Sequence, residues 1–150
     1  MIRHLLIVCQ GNLCRSPIAQ GLFQRLLPDI TVSSAGLAAT DGMTMDPVAR
    51  SMLKLRGIDM SSHRARRLDE GMCRSADLIL VMEFEQRKAI ERFYPAARGR
   101  IYRVAEVFPS DVQDPYQRSQ RKYDYAMTLL EHGVNDWVER IRKLSACGQR

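Results

Sequence analysis

The residue types best suited to chemistry lie in one run, Cys9-Gln10-Gly11-Asn12-Leu13-Cys14-Arg15-Ser16-Pro17. A thiol, a five-residue spacer, a guanidinium and a hydroxyl are parts that can hold a tetrahedral dianion. If the run is a loop closing onto a helix, its backbone N–H groups converge on the anion and the helix N-terminus adds partial positive charge. The planar guanidinium of Arg15 can grip two phosphate oxygens at once. A cysteine in such a field, here Cys9, is a nucleophile rather than packing. A core thiol would explain neither Arg15 nor the Gly11-Asn12 turn, where Gly11 is expected to take positive φ. The C-x5-R spacing alone is a weak signal, and it gains weight if a strand precedes it and a helix follows. The chemistry these parts predict is that of a cysteine-dependent phosphatase.

The flanking sequence supplies those elements. His4–Val8 is a continuous apolar run, as in a parallel strand buried on both faces. Ser16 followed by Pro17 has the form of an N-cap and a first-turn proline, and the apolar spacing predicts a helix over 17–27. Strands follow at 30–33, 77–82 and 100–104. Asp46-Pro47 opens a second helix, expected to bury Val48, Met52 and Leu55 and to stop at Gly57. Residues 58–68 show no clean period and read as loop. Asp69 caps a short helix through Arg74, and 83–93 and 120–144 complete the helices. In the last of these, Tyr123, Met127, Leu130, Val134, Trp137, Ile141 and Leu144 form a core stripe. Residues 105–120, with Pro109 and Pro115, form a long functional loop. Strand and helix alternate without repeats, which predicts one α/β domain over 1–150. It is a four-stranded parallel sheet with helices on both faces, a phosphate-binding loop after the first strand and a frayed tail at 145–150. In such folds ligands bind beyond the carboxyl ends of the strands. Cys9, Ser34, Glu83 and the loop carrying Asp114 all emerge there.

Composition narrows the function classes. The chain has 150 residues, 45% hydrophobic and 27% charged, enough for a packed core without disulfides or metal. No apolar run approaches the roughly 18–20 residues that cross a bilayer, and the N-terminus lacks a signal-peptide pattern, so a cytoplasmic protein without membrane insertion is expected. The net charge of +6, from 23 basic and 17 acidic residues, favours anionic partners. Aromatics are 7% and cluster late, so no stacking platform accompanies the basic stretch Arg64-Ala65-Arg66-Arg67, and nucleic acid is not the expected partner. Cys9 and Cys14 are not a C-x-x-C pair and no histidine cluster completes a zinc site. No metal or cofactor is expected. Cys73 and Cys147 read as packing or surface thiols.

The run at 9–17 closely resembles the signature of the low-molecular-weight protein tyrosine phosphatases. The resemblance is chain-wide: Ser34-Ala35-Gly36, Asp46-Pro47, Gly57 to Arg66 with Ser62-His63, Asp77-Leu78-Ile79-Leu80 and Asp114-Pro115-Tyr116 fall in the family's order. Arg118-Ser119, Tyr123-Asp124 and Leu129-Leu130-Glu131 resemble the bacterial branch paired with tyrosine autokinases of capsule and exopolysaccharide production. The resemblance implies a Cys9 nucleophile, Arg15 holding the phosphoryl oxygens, and Ser16 bonding the sulfur. It also implies Asp114 as general acid and base, although Asp-Pro is also a common turn and Asp111 lies nearby. Gln10, Gly11, Asn12, Leu13 and Cys14 would line the anion, Asn12 joining Ser34 and His63 in a supporting network, and Tyr116 would stack beside the substrate ring. Implied partners are phosphotyrosine proteins, among them a membrane tyrosine autokinase, with inorganic phosphate as product and inhibitor. Cys14 could form a reversible disulfide with Cys9 or simply pack.

Two positions depart from the family pattern. Thr40 stands where relatives often carry a bulky apolar or aromatic pocket residue, which thins one wall. Gln117 replaces a second tyrosine found in some relatives, leaving Tyr123 and Tyr125 as alternative modification sites, or as plain core and surface residues. An arsenate reductase on the same fold would need a downstream pair of close cysteines. A protein-arginine phosphatase would carry threonine at Leu13 and lack the tyrosine at 116. A plain phosphate-binding module would not need Cys9 and Asp114 together.

Overall fold

The computed structural model describes residues 1–148. Its strands are β1 (His4–Cys9), β2 (Thr31–Gly36), β3 (Leu78–Val81) and β4 (Ile101–Arg103). Its helices are α1 (Arg15–Leu26), α2 (Pro47–Leu55), α3 (Glu70–Ser75), α4 (Phe84–Phe93) and α5 (Gln120–Cys147), with a 3-10 turn at Pro95–Ala97. All pairings are parallel, in the order β2-β1-β3-β4. From β1 the chain goes to one side for β2 and to the other for β3. The carboxyl end of β1 is therefore where connections diverge and a crevice opens. Cys9 is the last residue of that strand.

Both faces of the sheet are covered. Leu5, Ile7 and Cys9 join a core with α1, α2 and α5, while Leu6 and Val8 join Cys73 of α3 and Ile90 of α4 on the other side. This two-sided burial is why β1 is apolar at successive positions instead of alternating. Each fully buried aliphatic side chain contributes about 1.5–3 kcal/mol, which anchors the strand that presents Cys9. No described helix is long and apolar enough to cross a membrane.

Several expectations shift. α1 begins at Arg15, with Cys14 at the cap position and no side-chain cap; Ser16 is not the N-cap, because its hydroxyl is engaged by Cys9 and Asn12. In α2 the buried residues are Ala49, Met52 and Leu53, while Val48 is exposed and Leu55 is 87% exposed. The Asp46 side chain caps the helix at the Ala49 N–H with Pro47 in the first turn, and this start turns Leu53 onto α1. There a Cβ at Gly21 would come within 3.4 Å of it. Gly57 does terminate this segment, at φ +78°. α5 runs three residues past 144, so 145–147 are helical where fraying was expected, and Leu144 is exposed; residues 149–150 lie outside the described residues. The 58–68 segment is loop, stitched by isolated bridges Thr44–Arg64 and Gly36–Arg67. At Gly36 the backbone is close: a Cβ would sit 2.8 Å from the Gln10 carbonyl and 2.9 Å from the Asn12 nitrogen. Only glycine lets β2 approach the 9–16 loop this closely.

Candidate active site

Hydrogen-bond inventory fixes the loop around Cys9. Asn12 is fully buried and adopts the left-handed conformation, φ 57°. Gly11, expected to supply the positive φ, does not, and a Cβ there would meet only Leu13 Cγ at 3.9 Å. Asparagine tolerates this conformation because its short polar side chain bonds locally. Asn12 Oδ1 accepts the Arg66 backbone N–H at 3.0 Å. A backbone N–H can only donate, so the amide's Nδ2 must face the other way. There it donates to Ser16 Oγ at 2.7 Å and Ser34 Oγ at 2.9 Å. Ser34 in turn donates to Gln20 Oε1 at 2.5 Å. The Ser16 hydroxyl lies 2.9 Å from Cys9 Sγ and donates to it when the sulfur is a thiolate, which can only accept. The Asn12 backbone N–H reaches the same sulfur at 3.2 Å. Two donors aimed at one buried sulfur stabilise negative charge on it. His63 Nε2 meets the Asn12 carbonyl at 2.9 Å, and burial holds His63 below the usual histidine value despite that bond. The expected grouping of Asn12, Ser34 and His63 is thus present.

Arg15 is 2% exposed. A buried guanidinium is costly unless paired, and here Nη1 donates to Glu83 Oε1 at 3.0 Å and the Val112 carbonyl at 2.8 Å. The opposite, Nε–Nη2 edge is the one suited to two-point grip of an oxyanion; its nearest charged neighbour is Asp114 Oδ2, 3.8 Å from Nη2. The long 104–119 connection therefore delivers both the Val112 carbonyl and Asp114 to Arg15. Asp114 is 47% exposed and accepts the Tyr116 N–H at 3.0 Å. Asp111 takes a different place: it accepts the Phe84 N–H at 3.1 Å and pairs with Arg103 at 3.3 Å. Tyr116 is exposed on the Asp114 loop.

The remaining expected residues lie on the 9–16 loop or on segments hydrogen-bonded to it. Gln10 and Cys9 carbonyls accept the Ala38 and Leu37 N–H groups, which holds the 37–42 loop and exposed Thr40 beside the phosphate loop. Leu13 is half-buried, its carbonyl accepting the Asp46 N–H. Cys14 is a buried free thiol. Burial, and then the charges of Asp46, Asp114 and Cys9, push its pKa far up. Tyr123 is buried, with its hydroxyl pushed up to about 12 by burial; Tyr125 is exposed.

A buried cysteine with a hydroxyl and an amide on its sulfur, a paired arginine behind it and a carboxylate at the rim are groups that could hold and attack a phosphate ester. The family model for low molecular weight phosphotyrosine protein phosphatases matches residues 4–146. The chain belongs to this family. It is 42% identical over 144 residues to the probable low molecular weight protein-tyrosine-phosphatase EpsP of Ralstonia nicotianae, covering 96% of this chain and 99% of that one. Among solved structures, it resembles the tyrosine phosphatase Wzb from Escherichia coli K30 in complex with sulphate. The TM-score is 0.90 at 34% identity, covering 94% of this chain and 99% of that one. It also resembles the YwlE arginine phosphatase from Geobacillus stearothermophilus, with TM-score 0.89 and 28% identity, covering 96% of each chain. The two likenesses share a fold and differ in the phosphoryl carrier, so fold alone does not choose between them.

In this phosphatase the supporting residues were the harder ones to foresee. Glu83 was expected at the sheet edge without a partner; its bond to Arg15 needs β3 and β1 adjacent. Gln20 is signalled only by its helical position one turn after Ser16, on α1. Arg66 belongs to a basic run that reads as surface charge, yet its Nε donates to the Ser34 carbonyl at 2.9 Å while its N–H holds Asn12. No local pattern distinguishes it from Arg64 or Arg67.

Proposed function

We propose that the protein hydrolyses phosphotyrosine on proteins through a phosphocysteine on Cys9. The observation that carries this reading is the convergence on one sulfur and one guanidinium. Ser16 and Asn12 direct donors at Cys9 Sγ, and Arg15 is held from behind while Asp114 stands at its open edge. The Cys9 thiolate attacks phosphorus in line with the departing tyrosine oxygen, forming the S–P bond as the P–O bond breaks. Arg15 and the loop amides hold the three equatorial oxygens as charge redistributes among them. A phenol has an ordinary pKa of about 10, so its oxygen leaves best with a proton, and Asp114 supplies it. Asp114 then takes a proton from water as that water attacks phosphorus. The S–P bond breaks, phosphate leaves, and the Ser16 hydroxyl stabilises the returning thiolate.

Leu13 and Tyr116 favour a phenyl ring over a phosphoguanidine, since an arginine phosphatase would carry threonine at 13 and no tyrosine at 116. Tyr116 stands near Asp114 to stack on the ring, and Thr40 thins one wall of the pocket. Resemblance to the autokinase-associated branch supports a cytoplasmic role on a membrane tyrosine kinase in exopolysaccharide production, with inorganic phosphate as product inhibitor. A Cys9–Cys14 disulfide would protect the nucleophile from peroxide. The test is hydrolysis of p-nitrophenyl phosphate and of phosphotyrosine and phosphoarginine peptides without added metal, using wild type and Cys9→Ser. Cys9→Ser is expected to be inactive while folding normally. Full activity in that variant, a strict metal requirement, or preference for phosphoarginine would overturn the reading.

A further inference from the structure

Between the sheet and Asp114 the chain makes one excursion, leaving β4 after Arg103 and returning at Val112. Its ends are pinned: Val104 and Val112 are fully buried, and their N–H groups donate to the Val81 and Met82 carbonyls at 2.8 and 3.0 Å. Val112 lends its own carbonyl to Arg15, and Asp114 follows two residues later. A single side chain holds the stretch between. The Arg103 guanidinium, 18% exposed, pairs through Nη1 with Asp111 Oδ1 at 3.3 Å. Its Nη2 donates to the Phe108 carbonyl at 3.4 Å, and its Nε lies 3.8 Å from Glu106 Oε2. Arg103 is itself held at both ends of its peptide unit. Its backbone N–H donates to Glu106 Oε2 at 3.0 Å, and its carbonyl accepts the Trp137 indole N–H at 3.1 Å. Asp111 Oδ1 also accepts the Phe84 N–H at 3.1 Å, next to Glu83, the carboxylate that braces Arg15. One oxygen therefore joins β4, the start of α4 and the residue before Val112. Each such contact adds little to stability, about 0–1 kcal/mol; coming from one planar fork onto one loop, they restrict its shape.

Resting on the phosphotyrosine reading above, in which Asp114 moves the proton, we infer that Arg103 and Asp111 are positioning residues for that transfer. They act through Asp114 and not on the substrate. The pair sets the course of the chain into Val112, and with it the reach of Asp114 toward the leaving oxygen of a phosphoryl group held on Arg15. Without the guanidinium the stretch before Val112 loses its cross-links, and Asp114 is no longer held where it can deliver the proton. A misplacement of about 1 Å can cost such a step about 10²-fold.

The experiment measures kcat/KM, which reports the steps through phosphoryl transfer to Cys9, for aryl phosphates running from p-nitrophenyl to phenyl. The proteins are wild type, Arg103→Met, Asp111→Asn, Asp114→Asn, and each of the first two variants combined with Asp114→Asn. Methionine keeps an apolar stem, and asparagine keeps an acceptor for the Phe84 N–H while removing the charge. Arg103→Met is expected to lower kcat/KM about tenfold for phenyl phosphate and no more than about twofold for p-nitrophenyl phosphate, whose leaving group needs little protonation. Asp111→Asn tilts the series the same way by a smaller amount. In the Asp114→Asn background either change adds less than about twofold for any ester, because the group it positions is gone. An arginine that only supports the fold would slow all esters alike or add its full effect in that background. Either result, or a series parallel to wild type, overturns the inference and leaves the phosphatase reading intact. If Arg103→Met does not fold, Asp111→Asn and its double variant decide by the same criteria. If Asp114→Asn itself slows every ester equally, the proton-donor reading falls and this inference with it.

Discussion

Two loops meet at the carboxyl edge of this sheet and are built in opposite ways. The 9–16 loop is largely buried, and every hydrogen-bonding group of Asn12 is engaged, by Cys9 and Ser16 within the loop and by Ser34, His63 and Arg66 from other segments. The 114–118 loop is exposed and held by three backbone-donated bonds within its own neighbourhood. The difference fits the chemistry that the proposed mechanism gives each loop. Stabilising charge at phosphorus requires donors fixed before the substrate arrives. Delivering a proton to a leaving group at the protein surface requires reach and contact with solvent. One loop is tied into the fold; the other can change its substrate contacts without disturbing it.

Substitutions can break that contrast, beginning with the largest effect. Asp114→Asn should slow turnover about 10²-fold or more for phenols of ordinary acidity while leaving the melting temperature nearly unchanged. A series of aryl phosphates of varied leaving-group pKa checks this, and uniform slowing across the series would remove Asp114 from the proton-donor role. Asn12→Ala should do the reverse in kind, costing about 2–4 kcal/mol of stability. It combines left-handed strain with stranded buried partners on Ser16, Ser34 and Arg66. Gly11→Ala, one position earlier, should stay within about 0.5 kcal/mol, because its φ is not in the left-handed region and its Cβ has room. Denaturant melts of the two variants side by side decide whether the tightly held residue is the asparagine or the glycine.

The smallest effect is a pH dependence. Burial lowers the His63 pKa in the folded protein below its ordinary 6.5. The unfolded chain therefore binds more protons at this site as pH falls. The stability associated with neutral His63 is complete above about pH 6.5 and is lost as pH drops through the lower folded value. Melting temperatures between pH 5 and 7 should decline toward acid in wild type and decline less in His63→Gln. Equal slopes would mean that His63 does not couple to the loop.

Much of this was legible beforehand because it is local. Continuous apolar runs marked β1 and β3, Asp46-Pro47 and Asp69 marked helix starts, and Gly57 a stop, each a property of a few adjacent residues. Where local reading failed, a distant partner had intervened. Ser16 has the form of an N-cap, but Cys9 and Asn12 claim its hydroxyl. Val48 and Leu55 carry the apolar spacing of α2, yet Ala49 and Leu53 are buried beside Met52 instead, with Leu53 turned toward Gly21 of α1. Gly11 was the expected positive-φ residue, yet Asn12 takes that role because Ser16, Ser34, Arg66 and His63 all converge on it.

The sequence by itself determined the succession of strands and helices along the chain and the identity of the chemical groups, since hydrophobic period and residue type are read along one chain. Only the tertiary structure decided who holds whom. Glu83 braces Arg15 across 68 positions, Arg66 orients Asn12 across 54, and Asp114, not Asp111, lies against Arg15. Such choices depend on which strand ends lie side by side and which donors remain unsatisfied there, and neither is a property of any stretch of sequence taken alone.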